Sequence, residues 1–381
     1  MVRKEQHIRI LNIVGGMNRG GAETWLMHVL RNIDRERYLM DFLVHTERIC
    51  EYDHEIRQLG SRVIPCLHPS KPLKYAKNFK RILRDYGPYD VVHSHVHHFS
   101  GYALKLAHQE GVPIRIAHAH NDTSAIDRQG AFLRRLYLRI MKRWIHMWAT
   151  RGLAASRLAA EALYGTYWEK DSRWRILYCA IDMGPFQIPV NRAVIRKELC
   201  IPPDAFVLGH VGRFDVQKNH AFLLEIAAEV AQREPNMRLL LVGEGPLRRN
   251  MEKRSADLGL DERVIFTGIR TDVPRLIVGA MDVFIMPSFN EGLPLAGIEA
   301  QAAGIPIIFS DVITDEIDMI KPLIWRLPLS RPASAWAETV LEARNKSQTL
   351  TKEEVIAIVE KGPFNIQTGI KELFGIYDSG L

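Results

Sequence analysis

Two glutamates, Glu291 and Glu299, bracket the stretch Asn-Glu-Gly-Leu-Pro-Leu-Ala-Gly-Ile-Glu at residues 290–299. The apolar run Asp282–Met286 ahead of it reads as a buried strand, and Ile305-Pro306-Ile307-Ile308 behind Gly304 as the next one. One acid thus falls on a loop and the other inside a helix. Pro294 suits the first helical turn, where a missing N–H costs nothing. The N–H groups of Leu295, Ala296 and Gly297 then point out of the helix N-terminus, where a phosphate is welcome. Glu299 falls four residues after Leu295 on the same face, placed for a diol such as a ribose. Glu291 meets whatever lies on the far side of the phosphate. The plainer alternative is a solvated loop acid and an ordinary helix glutamate.

Upstream, Val207-Leu208-Gly209-His210-Val211-Gly212 reads as a strand ending in glycine, and an apolar-periodic helix begins near Phe222. Arg213 and Lys218 lie on the connection. A planar guanidinium fork and a compact ammonium together suit a diphosphate, although exposed loop cations are often only solvated. Gly15, Gly16, Gly20 and Gly21 follow the first expected strand. They fit neither the dinucleotide Gly-x-Gly-x-x-Gly pattern nor a P-loop. Glycines at a strand end nonetheless let backbone approach a ligand closely. His93, His95, His97, His98, His118 and His120 gather at two strand ends. No acid or cysteine completes a coordination sphere for them, so no metal is expected.

The elements that must position these residues alternate. Strands fit Ile8–Val14, Met40–Val44, Arg62–Pro65, Val91–His93 and Ile114–His118, with helices at 21–32, 52–59, 71–86, 101–110 and 128–149. The alternation repeats from Phe206, and helices near 334–345 and 366–378 close the chain. Two doubly wound α/β domains are implied, 1–185 and 186–365, joined through the proline cluster between Asp182 and Asp204.

Composition is globular, at 47% hydrophobic and 25% charged, so extensive disorder is not expected. No apolar run approaches the ~18 residues of a membrane span, and the first strand is too short for a signal-peptide core. Cys50, Cys66, Cys179 and Cys200 are scattered, which argues for thiols in a reducing cytoplasm. Charge divides the chain: residues 1–185 carry a net +11 and the rest −4. Lys71, Lys74, Lys77, Lys80, Arg81 and Arg84 recur without an acid between them. So do Arg128, Arg134, Arg135, Arg139, Lys142, Arg143 and Arg151, interleaved with Phe132, Leu133, Leu136, Tyr137, Trp144 and Trp148. A basic helix with aromatics and leucines has the pattern of attachment to an anionic membrane surface. The alternative is a core-facing apolar stripe with a solvated basic back. No nucleic-acid motif appears.

Gly212-Arg213 with Lys218-Asn219, Leu241-Val242-Gly243-Glu244-Gly245-Pro246, Val264-Ile265-Phe266-Thr267-Gly268 and the Glu291–Glu299 segment occur in the order and spacing of glycosyltransferase family 4. The chain resembles that family continuously from about 205 to 315. The segment Gly15–Thr24, with Lys218–Leu224, is similar to exopolysaccharide and capsule-type members. The resemblance implies a GT-B fold, with two Rossmann-like domains facing across a cleft and the helix at 366–381 crossing back to the first. It implies a donor site of Gly16, Arg213, Lys218, Gly292, Leu293, Leu295 and Glu299, with Glu291 on the sugar. It also implies an active-site histidine at His120, with His118 one strand step away as its rival. No cofactor or metal is implied, because the cations and the helix N-terminus neutralise the leaving diphosphate.

The expected activity is retaining transfer of a hexose or N-acetylhexosamine. The donor would be a UDP-sugar and the acceptor a polyprenyl-diphosphate-linked saccharide. The expected place is peripheral, at the cytoplasmic face of the cell membrane, through Arg134, Arg135, Arg139, Lys142, Arg143 and Trp144. Alternatives are a UDP-sugar 2-epimerase of the same architecture, or a non-catalytic nucleotide-binding partner in polysaccharide assembly. One departure stands out: Val312-Ile313-Thr314-Asp315-Glu316 has no glycine where many members carry a glycine-rich turn before a glutamate.

Overall fold

A computed structural model of the chain describes residues 7–67, 69–124, 127, 131–346 and 350–379. Arg128 and the start of the helix expected from 128 lie outside the described residues. The chain forms two compact units, Met1–Ala180 with Ile366–Leu381, and Ile181–Asn365. The second unit begins at 181 rather than at the expected 186. There the Ile181 N–H donates to the Phe364 carbonyl at 2.8 Å, and Ile181 bridges Asn365, so the chain is already tied into the second unit.

The first unit holds seven parallel strands: β1 (Ile8–Val14), β2 (Tyr38–Val44), β3 (Val63–Pro65), β4 (Val91–Ser94), β5 (Ile114–Ala119), β6 (Arg151–Ala154) and β7 (Trp174–Ile176). Their order is β3-β2-β1-β4-β5-β6-β7. β1 is buried along most of its length, as a strand covered by helices on both faces requires. The closing helix Ile366–Asp378 belongs to this unit. Phe374 stacks on Tyr38 at 4.3 Å between ring centroids, and Asp378 binds both Arg37 and the Tyr38 hydroxyl.

The second unit holds six parallel strands: β8 (Phe206–Val211), β9 (Met237–Val242), β10 (Val264–Phe266), β11 (Val283–Met286), β12 (Ile307–Ser310) and β13 (Ile324–Leu327). Their order is β10-β9-β8-β11-β12-β13. Trp336, fully buried, anchors the helix Ala333–Lys346 against Phe222 and donates its indole N–H to the Pro328 carbonyl. In each unit the strand order reverses once, at β1/β4 and at β8/β11. Ligands of open parallel sheets bind at that point, outside the strand C-termini. Among the described residues no helix is long and apolar enough to cross a membrane.

Candidate functional site

Two loops meet at the β8/β11 crossing. After β8, Asp215 accepts the Lys218 N–H and caps the short turn Val216–Lys218; Asn219 then takes a left-handed φ of 54° and begins the helix His220–Arg233. After β11, the segment 287–291 is laced to this turn. Asn219 donates to the Pro287 carbonyl, Phe289 N–H to the Gln217 carbonyl, and Gln217 Nε2 to the Asn290 carbonyl. The lacing brings Lys218 Nζ to 2.6 Å from Glu291 Oε1, with 17% and 6% of the two side chains exposed. Glu291 is therefore not a solvated loop acid. Arg213 beside them is exposed and makes no ion pair among the described residues.

The glycines of this region are explained by close backbone approach. A Cβ on Gly212 would lie 2.9 Å from His210 Nε2 and 3.3 Å from the Lys218 side chain. Gly243, with φ of 143°, and Gly245 pass directly against the backbone of Gly212 and Phe214. His210 was not singled out in the sequence. It is fully buried under the loop, its Nδ1–H donates to the Ile285 carbonyl at 2.8 Å, and burial pushes its pKa down to about 4. An apolar strand with one central histidine was the available signal.

The helix after Glu291 starts one residue later than expected. Pro294 has extended backbone and caps the helix Leu295–Ala302 rather than entering it. Its carbonyl takes the Gly297 N–H at 3.0 Å, so only the N–H groups of Leu295 and Ala296 are left without a backbone acceptor. Gly292 and Leu293 are buried in the preceding loop. Glu299 is buried one turn in, with no ion-pair partner among the described residues, and burial raises its pKa to about 7. In the departing segment 312–318, Arg326 donates to the carbonyls of Ile313 and Thr314 and pairs with Asp318. Those bonds hold a loop that lacks the glycine turn.

The first unit builds its crossing from neutral groups. Gly16 is packed beneath Thr46 and Cys50, where a Cβ would approach within 3.0 and 3.1 Å. His93 Nδ1 lies 2.8 Å from the Tyr377 hydroxyl and His93 Nε2 3.1 Å from His118 Nδ1. A second chain runs from Asn12 through His95 to His120 Nε2, at 2.9 Å, and on to Cys179 Sγ. His118 is fully buried with its ring edge-on to Trp25, whereas His120 is half-buried. Of the two rivals, only His120 reaches the surface. Burial holds all four histidines neutral, His120 at about 3. Ligand nitrogens of His93, His95 and His118 lie within 4.8 Å of one another, a trio the sequence reading dismissed for want of an acid or cysteine. His93 bonds Tyr377 and His118 Nδ1, His95 bonds Asn12 and His120, and His118 Nε2 has no hydrogen-bond partner among the described residues.

The basic helix spans Phe132–Trp148 and buries only Leu138, Met141 and Ile145. Phe132 and Leu133 are 71% and 76% exposed, and Leu136, Tyr137 and Ile140 also face solvent beside Arg135, Arg139 and Arg143. The apolar residues do not form a wide core-facing stripe. Three of the expected membrane contacts sit differently. Trp144 is stacked on Tyr102 with Lys105 over its ring, and Lys142 is half-buried. Arg134 is tied to Asp127 at 3.4 Å.

Residues 19–184 match the Glycosyltransferase Family 4 domain and residues 205–342 the Glycosyl transferases group 1 domain. Putative glycosyltransferase EpsF of Bacillus subtilis is 35% identical across 97% of this chain and 96% of its own length. Capsular polysaccharide biosynthesis glycosyltransferase CapH of Staphylococcus aureus is 24% identical across 98% and 99%. The Escherichia coli UDP-Gal:alpha-D-GlcNAc-diphosphoundecaprenol alpha-1,3-galactosyltransferase is 26% identical across 59% and 58%. Anabaena HepE, solved in complex with UDP and glucose, shares the fold with a TM-score of 0.81 at 19% identity, covering 98% of this chain and 100% of that one. With both family domains in order and an identity of 35% carried along nearly its whole length, this GT-B chain belongs to glycosyltransferase family 4 and is a glycosyltransferase.

Proposed function

We propose that the chain transfers a hexose or N-acetylhexosamine, with retention, from a UDP-sugar to a polyprenyl-diphosphate-linked saccharide during assembly of a surface polysaccharide. The observation that carries this reading is the convergence at the β8/β11 crossing. Among the described residues of the second unit, an exposed Arg213 without an ion pair, the Lys218–Glu291 pair, two helix N–H groups without a backbone acceptor and a buried Glu299 without an ion-pair partner all follow the two strands of that crossing. Arg213, Lys218 and the N–H groups of Leu295 and Ala296 neutralise the diphosphate without a metal. Glu299 accepts from the ribose hydroxyls, and Gly292 and Leu293 line the turn between. Glu291 holds the sugar hydroxyls. The acceptor oxygen bonds to the anomeric carbon on the face from which the phosphate oxygen departs, and that oxygen takes the acceptor proton. In the first unit, His120 would meet a sugar hydroxyl only by giving up its bond to His95 or to Cys179, and Gly16 keeps the chain close beneath Thr46 and Cys50. The relative's diphosphoundecaprenol substrate and the UDP held by HepE support the same donor and acceptor classes. Family membership favours transfer over epimerisation.

A separate observation favours work at the inner face of the membrane. The exposed Phe132, Leu133, Leu136, Tyr137 and Ile140 flanked by three arginines suit an anionic leaflet. Tyr102 stacks on Trp144 and donates to the Pro72 carbonyl, so the start of the lysine-rich helix Pro72–Tyr86 is tied through Tyr102 to the C-terminal half of the helix Phe132–Trp148.

The test is calorimetric titration with nucleoside diphosphates and UDP-sugars in EDTA. UDP binds, and Arg213→Ala weakens it by roughly tenfold or more. Binding that needs added divalent metal, or no nucleotide binding at all, overturns the donor assignment.

A further inference from the structure

Three large apolar side chains stand exposed on adjoining loops of the second unit, at the strand ends that carry Lys218 and Glu291. Val216 is 70% exposed in the turn after β8, Phe289 48% after β11, and Val312 45% after β12. Single exposed apolar residues are ordinary on a protein surface. These three are not scattered. Their strands are neighbours in the sheet, in the order β8-β11-β12, and hydrogen bonds within two residues of each fasten the loops together. The Phe289 N–H donates to the Gln217 carbonyl at 2.8 Å, and the Ser310 hydroxyl to the Ser288 carbonyl at 2.7 Å. Val312 begins the segment that lacks the glycine turn, and so adds apolar surface there.

Phe289 is the middle member and is carried on a fixed backbone. The Asn219 amide donates to the Pro287 carbonyl at 3.1 Å and Gln217 Nε2 to the Asn290 carbonyl at 2.9 Å. Backbone groups of residues 287, 288, 289 and 290 are thus all bound. A phenyl ring held out to solvent on such a loop loses little further freedom when a flat ligand lies on it. The chain around it is polar: Asn290 and Asp311 are exposed, and Glu291, two residues on, pairs with Lys218. An apolar face with a polar rim is also what a pyranose presents, with C–H bonds across one face and hydroxyls around the edge. Those C–H groups are drawn to the negative face of the ring. A prenyl chain would cover the polar rim without offering it hydrogen bonds.

We propose that Phe289, flanked by Val216 and Val312, is a stacking platform for the apolar face of a pyranose ring and so helps to set which sugar is accepted. This role rests on the donor-site reading above. Two sugars qualify, the hexose of the nucleotide-sugar and the saccharide of the acceptor. Calorimetry on the full chain separates them with four probes: UDP, UDP-glucose, UDP-N-acetylglucosamine and a soluble short-chain prenyl-diphosphate N-acetylglucosamine. Phe289→Ala is expected to leave UDP affinity unchanged and to weaken at least one sugar-bearing probe by roughly three- to tenfold. Phe289→Tyr keeps the ring and should bind as wild type does, whereas Phe289→Leu keeps apolar bulk without a flat face and should bind more weakly. Loss confined to the UDP-sugars places the donor hexose on the ring; loss confined to the prenyl compound places the acceptor saccharide there. If Phe289→Ala binds all four probes as wild type does, the platform is wrong and the donor site stands. If UDP weakens as much as the sugar-bearing probes, the ring only supports its loop and the platform is again wrong. If wild type binds no UDP, the donor reading fails and the platform falls with it.

Discussion

The two units share a strand order and build opposite electrostatics at the same point in it. At the β8/β11 crossing charges dominate, with Lys218 and Glu291 paired at 2.6 Å and an exposed Arg213 that makes no ion pair among the described residues. At the β1/β4 crossing the groups are neutral: burial keeps His93, His95, His118 and His120 uncharged, and they bond to Asn12, Tyr377 and Cys179. Arg135, Arg139 and Arg143 of the first unit lie exposed on the helix Phe132–Trp148. A doubly wound sheet fixes where a ligand is met, and the side chains at its crossing decide which charge is welcome. A charged crossing suits a diphosphate, and a neutral hydrogen-bonding one suits hydroxyls.

Removing the charged pair should break that contrast most severely. Lys218→Ala and Glu291→Gln are each expected to lower transfer by about 10³-fold, measured as kcat/KM on radiolabelled donor. Their stabilities should differ. Lys218→Ala strands a buried carboxylate and costs roughly 2 to 3 kcal/mol in urea unfolding, less than a fully dry pair because the lysine keeps some solvent. Glu291→Gln leaves an ammonium that can turn to water and costs about 1 kcal/mol. The double variant should regain part of the stability and none of the activity. Full activity in either single variant refutes the donor assignment.

The outward cations of the first unit come next in size. Replacing Arg135, Arg139 and Arg143 with glutamine removes about 1 kcal/mol each near an anionic leaflet, on the order of 100-fold in partitioning to phosphatidylglycerol vesicles. UDP affinity should not change. Raising salt should weaken wild-type binding far more than that of the variant. Unaltered co-sedimentation would mean that the exposed Phe132 and Leu133 serve some other surface.

Local pattern carried much of this in the sequence. The strand Ile8–Val14 and the helices 21–32 and 366–378 are found at the expected bounds, because long apolar periodicities leave few alternatives. β6 and β7 were missed because Arg-Gly-Leu-Ala and Trp-Arg-Ile are broken by an arginine and lack the paired apolar residues that mark the equally short β3 and β4. The helix Lys352–Lys361 was also missed, although Thr351 and Glu354 form a capping box legible in the sequence. Within the site, Glu291, Lys218 and Glu299 were visible as residue types at suggestive spacings. Their pairing was not, since Lys218 and Glu291 are 73 residues apart and Tyr377 and His93 are 284 apart. Such contacts are made by the sheet order, not by neighbours in the chain. Pro294 misled for a local reason: proline fits both the cap and the first turn, and here its extended backbone makes it the cap.

The smallest effect sharpens the contrast by pH. Glu299 is buried at the charged crossing without a counterion among the described residues, and burial raises its pKa from 4.5 to about 7. The folded protein therefore keeps a proton there that the unfolded chain releases near pH 4.5. Its contribution to stability is fully present below that value and is lost as pH rises through about 7. Donor binding runs the other way. Ribose hydroxyls donate to the carboxylate, so ionised Glu299 is the binding form and UDP affinity rises as pH passes 7. The buried His210, at about 4, stays neutral in the folded protein at these pH values, and its own stability slope, which comes from protonation of the unfolded chain, is common to wild type and Glu299→Gln and cancels in their comparison. Glu299→Gln removes both slopes while keeping the shape. Comparing wild type with Glu299→Gln at each pH cancels the titration of UDP itself. The difference in UDP affinity should grow several-fold between pH 6 and 8, and the urea midpoint of wild type should fall relative to the variant over pH 5 to 7. A difference in affinity that is flat with pH would mean that the ribose does not meet this carboxylate.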